Sequence, residues 1–230
     1  MVISAPSGGG KTVVRSGLLK LDKRFSFSVT CTTRPRRPGE ADGKDYYFVT
    51  AGRFARLRKE GKLLEWATVH GNSYGTPVKS VLDVLEKGRI PVMTIDVKGA
   101  RSVKRIFPEA VTVFLLPPDL KTLVQRLRDR GEAPGNVAVR LETARSEIRV
   151  ASSFDYLVIN DRLPEAVREV AAIADLERRP PQEVRPDFQR SRSAQRLHGD
   201  RAALPDNRGV LAEEEVSHRD VVSGRSIDRQ

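Results

Sequence analysis

The sequence predicts an α/β protein whose core is a parallel sheet flanked by helices. Residues 90–97 and 110–116 are mostly apolar, as in strands that are buried on both faces, and helical patterns precede and follow them. Three consecutive glycines, Gly8-Gly9-Gly10, lie between a short apolar segment and a helical one. A strand, a glycine-rich loop and a helix in this order are typical of α/β folds that bind phosphate.

The glycine-rich loop is the clearest chemical signal in the chain. Residues 5–12 match the phosphate-loop pattern G-x-x-x-x-G-K-[ST], except that Ala5 replaces the first glycine. Glycines let the backbone N–H groups turn inward, and the following helix adds the positive end of its dipole. We expect Lys11 to reach the β- and γ-phosphates and Thr12 to ligate Mg²⁺. The strand before the loop and the helix after it disfavour the alternative, a glycine-rich turn without a ligand.

Composition indicates what kind of partner the chain binds and in which cellular compartment we expect it. The chain has 230 residues, a net charge of +11 and a pI near 10.1, which favours an anionic partner such as a nucleotide or a nucleic acid. Cys31 is the only cysteine, so an internal disulfide is excluded and we expect an inert thiol. No apolar run is long enough to span a membrane, and no signal-like segment begins the chain, so we expect a cytoplasmic protein.

The first half of the chain is predicted to hold one helix and then a small β-rich insertion. The pattern predicts a helix over 12–21, strands over 25–31, 46–49 and 63–69, a helix over 52–61, and a glycine-punctuated loop over 71–77. Residues 34–40 hold three arginines on a backbone that Pro35 and Pro38 stiffen. Such a loop suits phosphate binding, and a solvated charged surface is the alternative.

The second half returns to alternating helices and strands. Helices are predicted over 78–87, 98–106, 120–130, 137–152 and 164–177, and strands over 90–97, 110–116 and 156–161. Asp96 lies near the carboxyl end of its strand, where open α/β sheets bind ligands. From residue 178 onward large apolar residues become few, so we expect residues 178–230 to be mostly disordered.

Taken in their order, the motifs of residues 1–177 resemble those of the guanylate kinase family. They are the phosphate loop, Thr32-Thr33-Arg34-Pro35-Arg36-Arg37-Pro38-Gly39-Glu40, Gly43-Lys44-Asp45-Tyr46, Leu64-Glu65-Trp66-Ala67, Gly71-Asn72-Ser73-Tyr74-Gly75-Thr76, Ile95-Asp96, residues 126–131 and Ile159-Asn160-Asp161. The resemblance implies a P-loop nucleoside monophosphate kinase-like fold. It divides the chain into a core (1–29, 78–118 and 153–177), a GMP-binding insertion (30–77), a helical lid (119–152) and the tail (178–230).

The resemblance implies transfer of the γ-phosphoryl group of ATP to GMP, giving ADP and GDP, in purine nucleotide metabolism. The acceptor is an ionised phosphate oxygen that needs no general base, so we expect catalysis by alignment and charge neutralisation. By resemblance, ATP is bound by Asn160 and by the loop residues Ala5, Pro6, Ser7, Gly8, Gly9, Gly10, Lys11 and Thr12. Lys11 and the lid arginines Arg126, Arg130 and Arg140 are the implied catalytic residues, and Thr12 holds Mg²⁺ together with phosphates and water.

The resemblance also assigns the GMP site. The residues implied are Thr30, Arg34, Arg37, Tyr46, Glu65, Tyr74, Thr76 and Asp96. Two guanidinium groups and two tyrosine hydroxyls suit the GMP phosphate, and Glu65 suits guanine N1–H and the 2-amino group, with Thr76 at the O6 edge. Asp96 either completes the guanine pocket or orders water on Mg²⁺, and capping of the next helix is the alternative for it.

Two departures and three rival functions qualify this assignment. Thr94 and Lys98 stand where family members commonly have an acidic residue and a glutamine. The rivals are a non-catalytic scaffold module of the same fold, a sugar-phosphate kinase and a nucleic-acid-binding protein. Lys11 and Thr12 favour an enzyme, Glu65 favours a guanine pocket, and no RNA-binding motif is present. We therefore expect ATP and GMP as partners, no specific nucleic acid and no membrane, and leave a homo-oligomer open.

Overall fold

The structure, a computed structural model, describes residues 1–129 and 134–177. The lid arginine Arg130 and the predicted disordered tail over 178–230 lie outside the described residues. The strands are β1 (Val2–Ser4), β2 (Phe25–Phe27), β3 (Cys31–Thr32), β4 (Tyr47–Phe48), β5 (Leu63–Val69), β6 (Asn72–Pro77), β7 (Ile90–Thr94), β8 (Thr112–Leu116) and β9 (Tyr156–Ile159). The helices are α1 (Lys11–Leu21), α2 (Ala51–Lys59), α3 (Val78–Leu85), α4 (Val97–Ile106), α5 (Leu120–Arg128), α6 (Pro134–Arg149) and α7 (Leu163–Leu176).

A five-stranded sheet in the order β2-β7-β1-β8-β9 forms the core, and each pair of neighbours is parallel. This confirms the predicted fold class. The strand β1 lies in the middle of the sheet, so the phosphate loop that follows it emerges at the centre of the carboxyl edge. Ligands bind at this edge in open α/β sheets.

Helices cover both faces of this sheet. Ile3 packs with Val14 and Leu18 of α1 and with residues of α7, whereas Val2 packs with Val103 of α4 on the opposite face. Neighbouring residues of a strand point to opposite faces, and both faces are covered, which is why all three residues of β1 are buried. The phosphate loop therefore leaves from a strand that two hydrophobic clusters hold in place.

The insertion forms a second sheet, in the order β4-β3-β6-β5. The strands β5 and β6 make an antiparallel hairpin that turns at His70 and Gly71, both with positive φ (47° and 78°). The predicted loop over residues 71–77 is therefore wrong, because β6 occupies most of it. Gly75 is in this strand for close packing, since a Cβ there would lie 2.9 Å from Leu63 Cδ1.

The predicted single strand over 25–31 is also wrong. The chain leaves the core sheet after Phe27 and joins the insertion sheet at Cys31, so the two ends of the segment pair with different strands. Ser28 and Thr30 are buried between them, against the predicted alternation. The Cys31 thiol is buried and donates to the Gly75 carbonyl oxygen (3.1 Å), and burial raises its pKa to about 12.

The other helices and strands lie close to their predicted positions, with ends that differ by a few residues. The largest shift is in α6, which begins at Pro134 and ends at Arg149. Among the described residues, no helix is long and apolar enough to cross a membrane.

Candidate active site

A cavity of about 250 Å³ opens between the phosphate loop, the insertion and α6. Most of the expected site residues line it: Pro6, Ser7, Gly8, Gly10, Lys11, Thr12, Thr30, Arg34, Arg37, Tyr46, Glu65, Tyr74, Asp96 and Arg140. Of the expected residues that the structure describes, five do not line it, namely Ala5, Gly9, Thr76, Arg126 and Asn160. Residues from five separate stretches of chain thus meet in one place: 6–12, 30–46, 65–74, 94–96 and 140–147.

The phosphate loop has the backbone that its glycines predict. Gly8 and Gly10 have φ values of 84° and 95°, which L side chains rarely adopt. Lys11 begins α1, and its Nζ donates to the Ala5 carbonyl oxygen at 2.5 Å. Ala5 is fully buried, and a Cβ on Gly9 would lie only 2.7 Å from its methyl group. The loop therefore accommodates Ala5 in place of the expected glycine because residue 9 has no side chain.

Asn160 and Arg126 support the loop from behind. The buried Asn160 side chain donates from Nδ2 to the Gly9 carbonyl oxygen (2.9 Å) and lies where a Cβ on Gly10 would have to be. Arg126 donates from Nη2 to the Asn160 carbonyl oxygen (2.9 Å). Asn160 thus contacts the loop directly, and Arg126 contacts Asn160. That Asn160 binds adenine and that Arg126 contacts the transferring phosphoryl group stay predictions.

Glu65 of β5 is almost completely buried at 4% exposure and faces Thr76 of β6. The Thr76 hydroxyl donates to Glu65 Oε1 at 2.6 Å. Burial raises the pKa of Glu65 to about 7, and the charge of Asp96 adds to this, while the hydrogen bond from Thr76 opposes it. The pair presents a carboxyl group to the cavity with a hydroxyl fixed beside it, which suits a ligand edge with neighbouring hydrogen-bond donors.

Asp96 has two roles at once. Its Oδ1 accepts from the Gly99 backbone N–H (2.7 Å) and so caps α4, and the residue also lines the cavity. A Cβ on Gly99 would lie 2.6 Å from Glu65 Oε2, so the glycine lets the Glu65 carboxyl group approach the start of α4 closely. The capping alternative is therefore observed, and it does not remove Asp96 from the site.

The arginine loop is organised by a residue that the sequence did not single out for the site. Arg34 is 9% exposed and donates from Nη2 to Glu40 Oε1 (2.7 Å), while the Arg37 backbone N–H donates to Glu40 Oε2 (2.8 Å). The Arg34 guanidinium also lies 5.4 Å from the centre of the Tyr46 ring. Glu40 thus fixes both ends of the turn that presents the arginines. Its signal in the sequence was the Pro38-Gly39-Glu40 turn itself.

Two tyrosines and a threonine complete this side of the cavity. The rings of Tyr46 and Tyr74 meet edge to face, with centroids 6.1 Å apart. Burial raises the pKa of Tyr46, which keeps its hydroxyl a neutral donor. The Thr30 hydroxyl is buried and has no hydrogen-bond partner among residues 1–129 and 134–177. A buried hydroxyl in a cavity wall without a protein partner suits a polar ligand group.

Helix α6 contributes two side chains from above the loop. Arg140 donates from Nη1 to the Ser7 hydroxyl (2.8 Å), so this expected lid arginine already contacts the phosphate loop. Glu147 lines the cavity as well, although the sequence gave no reason to select it. The arginines interpreted as surface residues, Arg128, Arg145 and Arg149, are exposed.

A further pair of residues connects α1 to the insertion. Arg15 is 6% exposed, and its Nη2 lies 3.2 Å from Asp45 Oδ1. The guanidinium also lies 4.0 Å from the centre of the Phe27 ring. Asp45 in turn accepts from the Ala41 backbone N–H (3.0 Å). Sequence reasoning missed Arg15, because a charged residue in a helix is usually exposed.

The described residues contain no cluster of three or more His, Cys, Asp or Glu side chains that could hold a metal by themselves. Thr12 and Asp96 line the cavity beside the phosphate loop. A hydroxyl and a carboxylate fit a magnesium ion that takes most of its ligands from phosphates and water. Thr94 also lines the cavity, whereas Lys98 is exposed and does not.

The comparisons with known proteins agree with this geometry. The family model described as Guanylate kinase matches residues 1–177. The guanylate kinase of Carboxydothermus hydrogenoformans is 40% identical over 185 residues, which cover 80% of this chain and 91% of the relative. That of Nitratidesulfovibrio vulgaris is 47% identical over 173 residues, covering 75% and 84%. The crystal structure of guanylate kinase from Anaplasma phagocytophilum superposes with a TM-score of 0.64 at 33% identity, covering 78% of this chain and 86% of that one.

The family model spans every stretch that lines the cavity, from the phosphate loop to α6. The relatives above also cover most of this chain and are themselves covered over most of their length. The chain therefore belongs to the guanylate kinase family.

Proposed function

We propose that the chain transfers the γ-phosphoryl group of ATP to the phosphate of GMP, giving ADP and GDP. One observation supports this above all: the phosphate loop with Lys11 and the buried carboxyl group of Glu65 line the same cavity. A cradle for one nucleotide's phosphates and a recognition group for a purine base then share a single space. We place the reaction in the cytoplasm, in keeping with the single free cysteine.

Glu65 and Thr76 give the base preference. Guanine offers two adjacent donors, N1–H and the 2-amino group, and an ionised Glu65 accepts both. Adenine has an acceptor at N1 and lacks the 2-amino group, so it leaves the buried carboxylate without partners. Such a loss costs about 1–3 kcal/mol, which is roughly five- to 150-fold in relative kcat/KM.

The arginine loop and the tyrosines bind the acceptor phosphate. Arg34 and Arg37 neutralise its charge, and the hydroxyls of Tyr46 and Tyr74 donate to its oxygens without adding charge. Glu40 holds the loop in place, so the arginines are oriented before the ligand arrives. The acceptor oxygen is already ionised and needs no general base.

The phosphate loop, Lys11, Arg126 of α5 and Arg140 of α6 bind the donor. Backbone N–H groups and Lys11 surround the β- and γ-phosphates, and Arg140 lies beside Ser7 at the edge of the loop. Mg²⁺, when bound, neutralises phosphate charge, and Thr12 with Asp96 nearby would hold it. Arg130 is proposed for the same task as Arg140 on the strength of the family resemblance alone. That the chain binds no specific nucleic acid stays a prediction.

The test measures ADP formation from Mg-ATP with GMP, AMP, UMP or ribose 1,5-bisphosphate as the acceptor. The variant Lys11→Ala removes the loop lysine, and Lys20→Ala, at an exposed site on the same helix, is its control. We expect turnover with GMP that is lost in Lys11→Ala and kept in Lys20→Ala. Turnover with the sugar phosphate alone would assign the chain to a different kinase. Failure with every acceptor, by a folded protein, would favour the scaffold function.

A further inference from the structure

Helix α6 places an acidic side chain in the phosphate cradle. Glu147 lines the cavity together with Ser7 and Lys11. Arg140 precedes Glu147 by two helical turns, so the two side chains lie on the same face of α6, and Arg140 contacts the Ser7 hydroxyl. One face of one helix thus presents both a cation and an anion to the loop.

The surroundings of the Glu147 carboxyl group are those of a phosphate site. The Ser7 backbone N–H, the Lys11 ammonium on α1 and the Asp96 carboxylate after β7 all interact electrostatically with it. Burial raises the pKa of Glu147, which Lys11 and the Ser7 N–H partly offset. Its Oε2 is buried without a hydrogen-bond partner in the described part of the chain. This carboxyl group is therefore incompletely satisfied where it lies.

A nucleotide needs the same donors. The N–H groups of the loop and the Lys11 ammonium are the groups that bind the β- and γ-phosphates in a loop of this type. Phosphate oxygens and the Glu147 carboxylate are all negatively charged, so they repel each other and compete for those donors. In this arrangement the Glu147 carboxylate and the β- and γ-phosphates therefore cannot lie at the phosphate loop at the same time.

We propose that Glu147 occupies the phosphate cradle while no nucleotide is bound and has to withdraw when the phosphates of ATP enter. Since Glu147 and Arg140 belong to one helix, this withdrawal also moves α6 and repositions Arg140 over the donor phosphates. Glu147 is thus a positioning residue that couples occupation of the loop to the placement of the lid. The inference rests on the proposed function only in assigning ATP to the loop.

The test compares the wild type with Glu147→Gln and Glu147→Ala. The control is Glu142→Gln, because Glu142 lies on the same helix, is 69% exposed in its side chain and pairs only loosely with Arg145 (3.5 Å). Calorimetry gives the dissociation constants of inorganic tripolyphosphate, a non-hydrolysable ATP analogue and adenosine. Thermal unfolding of each variant shows that it is folded.

We expect both Glu147 variants to bind tripolyphosphate and the ATP analogue about tenfold more tightly than the wild type, since one repelling charge is gone. Adenosine, which has no phosphate, should bind equally to all proteins, and Glu142→Gln should match the wild type. If Glu147 had only a structural role, its substitution would instead change the dissociation constants of all three ligands together. Hydrogen exchange supplies a second readout: in the nucleotide-free protein, the amides of α6 should exchange faster in Glu147→Ala than in the wild type.

Unchanged or weaker binding of the phosphate ligands by both folded Glu147 variants would overturn the inference. The proposed function would fail separately, by absence of GMP phosphorylation in the wild type. If the wild type binds neither tripolyphosphate nor the ATP analogue, both the inference and the proposed function are wrong.

Discussion

Glu65 shows at the scale of one residue how a recognition group can destabilise the fold that contains it. Its carboxyl group is buried beside Thr76 and near Asp96, and its pKa is raised to about 7 from an ordinary value of 4.5. An ionised carboxylate there has a single hydroxyl partner and a repelling neighbour until guanine supplies two donors. The site is thus arranged for its ligand rather than for the stability of the free protein.

The first prediction concerns the stability of Glu65→Gln as a function of pH. Below pH 4.5 the carboxyl group is protonated in the folded and unfolded states, so it contributes no pH dependence. Between pH 4.5 and about 7 the unfolded state releases the proton and the folded state retains it, so wild-type stability falls as pH rises. Glutamine does not titrate. We expect Glu65→Gln to be more stable than the wild type by about 2–3 kcal/mol at pH 8, with little difference at pH 5.

Urea unfolding at pH 5 and pH 8 measures this difference. Glu86→Gln, at an exposed position of the same residue type, is the control and should leave stability unchanged at both pH values. The same Glu65→Gln protein should bind GMP more weakly. An equal difference in stability at pH 5 and pH 8 would show that the Glu65 pKa is not raised in the folded state.

At the scale of helices and strands, α1 is held by contacts on two sides. Gly17 faces α7, where a Cβ would lie 2.6 Å from Val167 Cγ2, so the two helices meet through a glycine. On the other side Arg15 reaches Asp45 of the insertion. Because α1 begins at Lys11, both contacts bear on the position of the phosphate loop.

The second prediction uses the glycine contact. Gly17→Ala should destabilise the protein by about 1–3 kcal/mol, because the added methyl group overlaps Val167. Gly52→Ala is the matched control: Gly52 lies in α2, and a Cβ there meets nothing within 4 Å, so alanine should stabilise by about 0.5–1 kcal/mol. Chemical unfolding measures both. The double variant Gly17→Ala with Val167→Ala should cost less than the sum of its parts, and additivity would argue against the close approach of α1 and α7.

The third prediction concerns the ion pair between α1 and the insertion. Asp45→Asn leaves the Arg15 guanidinium almost buried with a weaker partner, so we expect a loss of about 2–4 kcal/mol in the free energy of unfolding. Arg15→Met alone removes the ion-pair partner of Asp45. Because Asp45 is more exposed than Arg15, this substitution should lower the free energy of unfolding by less than Asp45→Asn does. The double variant should be more stable than Asp45→Asn. A double-mutant cycle by urea unfolding checks this, and independent effects of the two substitutions would refute the coupling.

Sequence patterns predicted most of these elements but not the contacts between them. The alternation of apolar strands and helices was enough for the core sheet, since burial on two faces leaves few other patterns. The strand β6 was missed because Gly75 and Pro77 usually mark turns, whereas here tight packing against Leu63 requires the glycine. Lys11 could be assigned from the spacing of the phosphate-loop motif, and Arg34 from its proline-stiffened loop together with the family resemblance. Arg15 and Glu147 could not, because only the tertiary structure shows that Arg15 is buried and that Glu147 lines the cavity.

At the scale of the whole molecule, the last described helix completes the support of the site. Val167, Val170 and Ile173 of α7 pack in the same hydrophobic cluster as Val14 and Leu18 of α1. The Tyr156 hydroxyl donates to Glu177 Oε1 at 2.5 Å, which connects β9 to the end of α7. The chain is therefore needed up to residue 177 to hold the helix that carries the phosphate loop.

The last prediction places the end of the functional unit there. The family model stops at residue 177, and the sequence beyond has too few large apolar residues to form a core of its own. A chain that ends at Glu177 should unfold cooperatively and phosphorylate GMP at a rate within about twofold of the full chain, because every cavity residue in the described part of the chain precedes Glu177. A chain that ends at Arg162 lacks all of α7, exposes the apolar face of α1 and should not fold. Circular dichroism melts and GMP-dependent ADP formation measure both. Loss of folding in the longer of the two chains would show that residues 178–230 belong to the folded unit, and loss of activity alone would assign them a role in the reaction.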